Sequence, residues 1–234
     1  MTEIGPPTAL IAGGSGDIGR AIAEMLGERG YRLALAGRDE NRLREAADAL
    51  AASGCSVEIH RCDIAQEAQV DQLVQSVLSG MGKIDVLVNA AGVSRGEFML
   101  RLRRETWDEM LATNLIGAAF LCKSVLKAMR RRKTGYIINI GSAGGREGVA
   151  GLAAYSASKA GLRAMSDSLR AEARIHSVRV SMVSPARVAT RMHGAENADA
   201  DRMLQPADVA EAVAFLLRLS PNAVVPELPL YTVD

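Results

Sequence analysis

A short apolar run, Ala9-Leu10-Ile11, leads directly into Ala12-Gly13-Gly14-Ser15-Gly16-Asp17-Ile18-Gly19 and then into the amphipathic stretch Arg20 to Leu26. This succession of strand, glycine turn and helix constrains the fold more than any other feature of the chain. Glycines let the backbone approach a bound group closely, and the following helix presents unpaired N–H groups and a partial positive charge. A purely structural turn could use the same residues, but the flanking strand and helix favour a site for an anion such as a pyrophosphate.

The remaining chain alternates short apolar runs with amphipathic segments of helical length, the pattern of a parallel sheet with crossover helices. Strands are expected at Thr8–Ala12, Arg32–Ala36, Ser56–Arg61, Asp85–Asn89, Gly135–Ile140, Arg179–Ser184 and Glu227–Tyr231. The longest helices are expected at Glu105–Arg130 and Ala154–Ile175. These elements predict an α/β fold, a Rossmann-type doubly wound parallel sheet of about seven strands with helices on both faces, in a single domain over residues 1–234. In such a sheet ligands sit at the carboxyl ends of strands. Three segments without periodicity, Val93–Arg104, Ala143–Leu152 and Ala186–Met203, leave strand ends and are expected to shape a cleft.

Composition narrows the function classes. With 234 residues and 48% hydrophobic content, the chain can bury one substantial core. Its 28 Lys and Arg nearly balance 27 Asp and Glu, so no global field recruits nucleic acid or an anionic membrane. Met1 to Pro7 lacks the basic and apolar regions of a leader, and no apolar run has the length of a membrane span. A soluble cytoplasmic enzyme is expected. Cys55, Cys62 and Cys122, like His60, His176 and His193, lack metal-ligand spacing, so free thiols and no metal are expected.

The second strand ends at Ala36-Gly37-Arg38, where a dinucleotide-binding sheet meets the adenosine ribose. An acid there would hydrogen-bond a free 2′-hydroxyl, whereas the planar fork of Arg38 suits a 2′-phosphate, which predicts NADP(H) as cofactor. The alternative is a solvated arginine at the start of a helix from Asp39 to Ala52. After the third strand, Asp63 and Ile64 could bracket an adenine ring, or Asp63 could cap the next helix.

Four polar residues follow in order: Asn114, Ser142, Tyr155 and Lys159. Reducing a ketone needs a hydride donor on one face of the carbonyl and a proton donor at its oxygen. Tyr155 and Lys159 are four apart on an expected helix, so both project from one face, with the ammonium placed to stabilise tyrosinate. Tyr155 also falls in the first helical turn, at the positive end of the dipole, and a lowered Tyr155 pKa is expected. Ser142 follows the fifth strand and should orient a substrate oxygen. Asn114 is a polar residue on an apolar stretch, as expected where a buried amide holds a water. Separately, each has an ordinary alternative: surface Tyr and Lys, a loop Ser, an Asn satisfied by backbone.

Over nearly its whole length the chain resembles a classical short-chain dehydrogenase/reductase. The family's Thr-Gly-x-x-x-Gly-x-Gly motif appears with Ala12 for Thr and Asp17 for the middle Gly, its Asn-Asn-Ala-Gly motif as Asn89-Ala90-Ala91-Gly92, and its tetrad without substitution. Its Pro-Gly motif appears as Pro185-Ala186, followed by Val188 and Thr190, which in relatives approach the nicotinamide carboxamide. The resemblance implies cofactor contacts at Gly13, Ser15, Asp17, Ile18, Gly19, Arg38, Asp63, Ile64, Asn89, Ala90, Gly92, Tyr155, Lys159, Pro185, Val188 and Thr190. It implies a proton relay past Asn114 to Lys159, and a homodimer or homotetramer. Asp17 could add repulsion near the phosphates or cap the first helix.

From Phe98 to Ala128 the text resembles 3-oxoacyl-[acyl-carrier-protein] reductases, which act on a β-keto thioester borne by an acidic protein. Arg101, Arg103, Arg104 and the run Arg130 to Lys133 could receive such a carrier, or could simply be solvated. The ending Val224 to Thr232 looks more like reductases of the 3-hydroxy acid or serine dehydrogenase type. The expected activity is reduction of a 3-oxoacyl thioester or small β-keto compound. The competing reading is an NADP(H)-binding structural or sensing protein without turnover.

Overall fold

A computed structural model describes residues 5–193 and 200–233. Positions 194–199 of the expected loop Ala186–Met203 lie outside the described residues. Seven strands form one parallel sheet: β1 (Thr8–Ala12), β2 (Arg32–Gly37), β3 (Val57–Arg61), β4 (Val86–Asn89), β5 (Gly135–Ile140), β6 (Val178–Pro185) and β7 (Glu227–Leu230). Their order is β3-β2-β1-β4-β5-β6-β7, so the winding reverses between β1 and β4. Crevices form where neighbouring strands lead their connections to opposite faces, and the glycine turn leaves β1 at that point.

Successive side chains on a strand point to opposite faces, and both faces here are apolar. Ala9 and Ile11 of β1 join one buried cluster with residues of α1 (Asp17–Glu28), α2 (Glu40–Ala52) and α7 (Pro206–Arg218). Leu10 and Ala12 join the opposite cluster, with α3 (Glu67–Met81), α5 (Ala118–Arg132) and α6 (Ala153–Ala173). Truncating one such fully buried residue, Leu10→Ala for example, costs about 2–5 kcal/mol. That double burial explains why the strands read as unbroken apolar runs.

The expected long helix Glu105–Arg130 runs unbroken from Arg104 to Arg132 but is not α-helical throughout. It comprises α4 (Arg104–Leu111), a π-helical turn (Ala112–Gly117) and α5. A π-turn carries an extra residue per turn, which shifts the facing of the side chains that follow. Asn114 lies inside this turn. By length and composition the run from Arg104 to Arg132 is apolar enough to cross a membrane, yet half of its most apolar window is buried in the fold. Leu121, Cys122 and Val125 among those buried residues belong to the core.

The same helix separates the two cationic clusters. Arg101, Arg103 and Arg104 sit where it begins, on the carboxyl-end side of the sheet, and Arg130 to Lys133 where it ends, about 40 Å away at 1.5 Å per residue. One carrier footprint at the cleft cannot use both. Arg104 is paired with Asp108 at 2.8 Å, and Arg132 with Asp85 at 2.6 Å, so part of each cluster already has partners.

Candidate active site

The turn after β1 is held shut by hydrogen bonds to the end of β2. Backbone N–H groups of Gly13 and Gly14 both donate to the Ala36 carbonyl, at 2.8 and 3.2 Å. Gly13 has φ +79°, and a Cβ there would lie 2.7 Å from the Ala91 nitrogen. A Cβ on Gly19 would lie 2.2 Å from the Gly13 carbonyl oxygen, so the first helical turn can nest against the loop only without one. Gly16 is the N-cap of α1 and offers no side-chain cap, which leaves the first-turn N–H groups for a ligand.

Around this turn opens a cleft of about 710 Å³. Gly13, Ser15, Asp17, Ile18 and Gly19 line it from the turn, Arg38 from the end of β2, and Asp63 and Ile64 from the end of β3. Ala90 and Gly92 follow β4, Ser142 follows β5, Tyr155 and Lys159 come from α6, Pro185 ends β6, and Val188 and Thr190 follow it. Two expected residues stand behind the wall. Asn89 is buried and donates to Asn139 Oδ1 at 3.4 Å, and Asn114 is buried at 1% exposure.

Three side chains of the expected tetrad meet at one place because two local devices hold them. Gly141 prolongs the β5–β6 ladder by donating to the Val183 carbonyl at 2.7 Å, and Ser142 then accepts from the Gly144 N–H at 3.1 Å, starting a short turn. That turn packs on α6, where a Cβ on Gly145 would lie 2.7 Å from the Lys159 carbonyl carbon. The Ser142 side chain lies close enough to the Tyr155 hydroxyl to favour its ionised form. Lys159 is 6% exposed, donates to the Ile140 carbonyl at 2.9 Å, and has its ammonium 5.9 Å from the centroid of the Tyr155 ring.

The Asn114 amide is engaged by protein groups. Its Oδ1 accepts from the Val93 N–H at 2.8 Å, while its Nδ2 donates to the Val93 carbonyl at 2.9 Å and to Ser158 Oγ at 3.0 Å. Ser158 Oγ in turn donates to the Tyr155 carbonyl at 2.7 Å. The amide is spent on clamping the segment after β4 to the first turn of α6. Satisfaction by backbone, the ordinary alternative, is what the fold adopts.

The electrostatics also depart from expectation. Burial pushes Tyr155 above its ordinary value, and the neighbouring Ser142 side chain only partly offsets this. Burial lowers Lys159 to about 8. The helical spacing does place the two on one face, but Lys159 directs its ammonium to Ile140 and its own desolvation removes much of the advantage of a charge.

Other expectations resolve in detail. Asp63 does not cap α3, whose N-cap is Gln66; its Oδ1 accepts from the Ala65 N–H at 3.1 Å in a local turn. Arg38 is exposed and has no hydrogen-bond or ion-pair partner among the described residues. Asp17 neither caps α1 nor stands bare. Burial alone would raise its carboxyl, but hydrogen bonds and charge from Arg191, with a further contribution from Arg42, hold it below the ordinary value.

Arg42, Arg95 and Glu109 also line the cleft and escaped the sequence reading, as did the pairing of Arg191 with Asp17. Arg42 had a signal: it lies four residues after Arg38, in the first turn of α2, where its N–H donates to the Asp39 cap at 3.2 Å. Arg95 and Glu109 form a 2.7 Å ion pair at the mouth, between segments with no shared periodicity.

The short chain dehydrogenase family profile matches residues 7–201. The chain belongs to the short-chain dehydrogenase family. Among its relatives, a 3-oxoacyl-[acyl-carrier-protein] reductase from Bos taurus is 36% identical over 214 residues, covering 88% of this chain and 89% of that protein. A metagenomic short-chain oxidoreductase solved in complex with NADP shares 34% identity with a TM-score of 0.86, covering 97% of both chains. A variant actinorhodin polyketide ketoreductase solved with NADPH shares 33% identity with a TM-score of 0.90, covering 99% of this chain and 97% of that one. In this chain the sheet is doubly wound, and the cleft occupies its carboxyl edge.

Proposed function

We propose that this short-chain dehydrogenase is an NADPH-dependent reductase of ketones, acting as one unit over its whole length. The observation that supports it most is the meeting of Ser142, Tyr155 and Lys159 in the cleft that also contains the glycine turn. The residues fit a dinucleotide: a turn with no room for Cβ atoms, open N–H groups at the start of α1, and an unpartnered Arg38 for the 2′-phosphate. Ala90, Gly92, Pro185, Val188 and Thr190 would line the course of the nicotinamide half.

When bound, NADPH supplies a hydride to the carbonyl carbon. Ser142 orients the carbonyl oxygen, and Tyr155 donates its hydroxyl proton to it. The raised Tyr155 value keeps that group protonated at neutral pH, the form a proton donor needs. Lys159, with a value near 8, is still mostly charged at pH 7 and is the nearest cation able to stabilise tyrosinate and return a proton. Asn114 acts through position, by fixing Val93 and, through Ser158, the Tyr155 backbone.

Relatives that act on 3-oxoacyl thioesters favour that substrate class or a small β-keto compound. Arg101 and Arg103, at the cleft end of the α4–α5 helix, are the cations open to an acidic carrier. A homodimer or homotetramer fits the sheet edge at β7, beside which Phe215 and Tyr231 are exposed. Free thiols at Cys55, Cys62 and Cys122 suit a reducing compartment such as the cytoplasm.

The test is NADPH oxidation with an acetoacetyl thioester and a panel of free β-keto acids and esters. Tyr155→Phe should abolish turnover and leave NADPH binding intact. Wild-type turnover in that variant would defeat the mechanism, and tight NADPH binding with no turnover of any ketone by the native chain would favour a sensing role.

A further inference from the structure

Asp17 is an acid placed in the middle of a turn otherwise shaped for a diphosphate. Its carboxylate is held by a residue 174 positions away: Oδ2 accepts from the Arg191 backbone N–H at 2.8 Å, and Oδ1 accepts from Arg191 Nε at 2.9 Å and lies 2.7 Å from Nη2. Backbone and side chain of Arg191 are therefore gripped together. Asp17 is the first residue of α1, and Arg191 directly follows Thr190 beyond β6, so the pair bridges the nucleotide turn and the segment leaving β6. Both line the cleft. The pair is not remote from the turn itself, because Arg42 donates to the Ser15 carbonyl at 3.1 Å and Arg191 reaches the same carbonyl at 3.5 Å.

Counting charge shows what this does. A bare carboxylate at the positive end of α1 would oppose an anionic ligand there and cancel the attraction of the helix dipole. Paired with one guanidinium it contributes no net charge, and Arg42 then leaves the surroundings of the turn positive. We infer that Arg191 is a cofactor-positioning residue that works through Asp17: it neutralises the acid and latches the segment from Val188 to Arg191 onto the nucleotide turn, so that a dinucleotide diphosphate is accepted there. This rests on the proposed NADP(H) reading. It also accounts for Asp17 where the family motif has glycine, as one half of a two-residue device.

The test is a mutant cycle read by NADPH binding, from quenching or enhancement of the reduced nicotinamide fluorescence, for the native chain, Asp17→Gly, Arg191→Ala and the double variant. Arg191→Ala, which bares the acid, should weaken NADPH about tenfold at low salt, and the deficit should shrink to about threefold in 0.5 M NaCl, where screening acts over a few ångströms. Adding Asp17→Gly to Arg191→Ala should restore binding to within about threefold of native, because the repulsion is then gone. Amide hydrogen exchange without nucleotide supplies a second readout: the Arg191 N–H should exchange about tenfold faster in Asp17→Gly. Equal weakening in Arg191→Ala and the double variant, or a deficit unaffected by salt, would overturn charge compensation. Unchanged Arg191 exchange would overturn the latch. If the native chain itself fails to bind NADPH, the cofactor reading falls, and that outcome is distinct from native binding with additive variants.

Discussion

The Lys159 ammonium donates to the carbonyl oxygen of Ile140 at 2.9 Å, across the end of β5. A buried lysine is thereby satisfied without a carboxylate, at the expense of a proton affinity lowered by burial to about 8. In the protein alone, Lys159 is better described as an ammonium stored against a strand end than as the partner of Tyr155.

This makes stability depend on pH in a defined direction. Between about 8 and the ordinary 10.5 the unfolded chain binds more protons at this position than the folded one, so the cost of the buried charge is complete below pH 8 and fades as pH rises to 10.5. In Lys159→Met the cost is absent at every pH. Relative to that variant, the native chain should gain about 3 kcal/mol between pH 7 and pH 11, measured by urea unfolding. An unchanging difference would mean that Lys159 titrates as an ordinary exposed lysine. For the same reason, kcat/KM for ketone reduction should decline above a pH of about 8.

Asn114→Leu removes both hydrogen bonds to Val93 and the one to Ser158, leaving buried polar groups unpaired. The variant should lose about 2–4 kcal/mol of stability and most of its kcat, the latter through misplacement of Tyr155. Asn114→Asp, which keeps an acceptor for the Val93 N–H, should retain more of both. Equal kcat in native and Asn114→Leu proteins would show that the clamp has no bearing on the cleft.

Gly19→Ala forces a methyl to within 2.2 Å of the Gly13 carbonyl oxygen, a backbone atom with no freedom to retreat. The turn must open, so NADPH affinity should fall by about 100-fold or more, with a thermal midpoint several degrees lower. Native affinity in this variant would place the dinucleotide away from the turn.

Arg38→Asp should reverse the preference from NADPH to NADH, because an acid at the end of β2 hydrogen-bonds a ribose hydroxyl and repels a 2′-phosphate. Arg42→Ala should weaken NADPH and NADH alike by about threefold to tenfold, since Arg42 lines the cleft and donates to the Ser15 carbonyl of the diphosphate turn at 3.1 Å. Comparison of Kd values for both nucleotides checks each variant. A preference unchanged in Arg38→Asp would remove Arg38 from the phosphate position.

Much of this architecture was legible because it is written in local pattern. All seven strands lie within a few residues of where apolar runs place them, and the strand–turn–helix unit at Thr8 to Leu26 announces its own conformation. The order and spacing of Ser142, Tyr155 and Lys159 likewise lead to one cleft. Such features depend on hydrophobic period, on glycine where no Cβ fits, and on helical spacing, all of which act between near neighbours.

The tertiary structure decided the rest. No periodicity marks the π-turn at Ala112–Gly117, whose extra residue sets the facing of α5, or tells that the Asn114 amide will be spent on Val93. The Asp17–Arg191 pair joins positions 174 apart, and only the folded path brings them to 2.7 Å. Tyr155 moved opposite to expectation because desolvation sums over every neighbour in space, while the helical spacing of Tyr155 and Lys159 conveys only the charge of one. What the chain determines by itself is the set of groups and the elements that bear them; which of those groups face water, and which face each other, belongs to the packed whole.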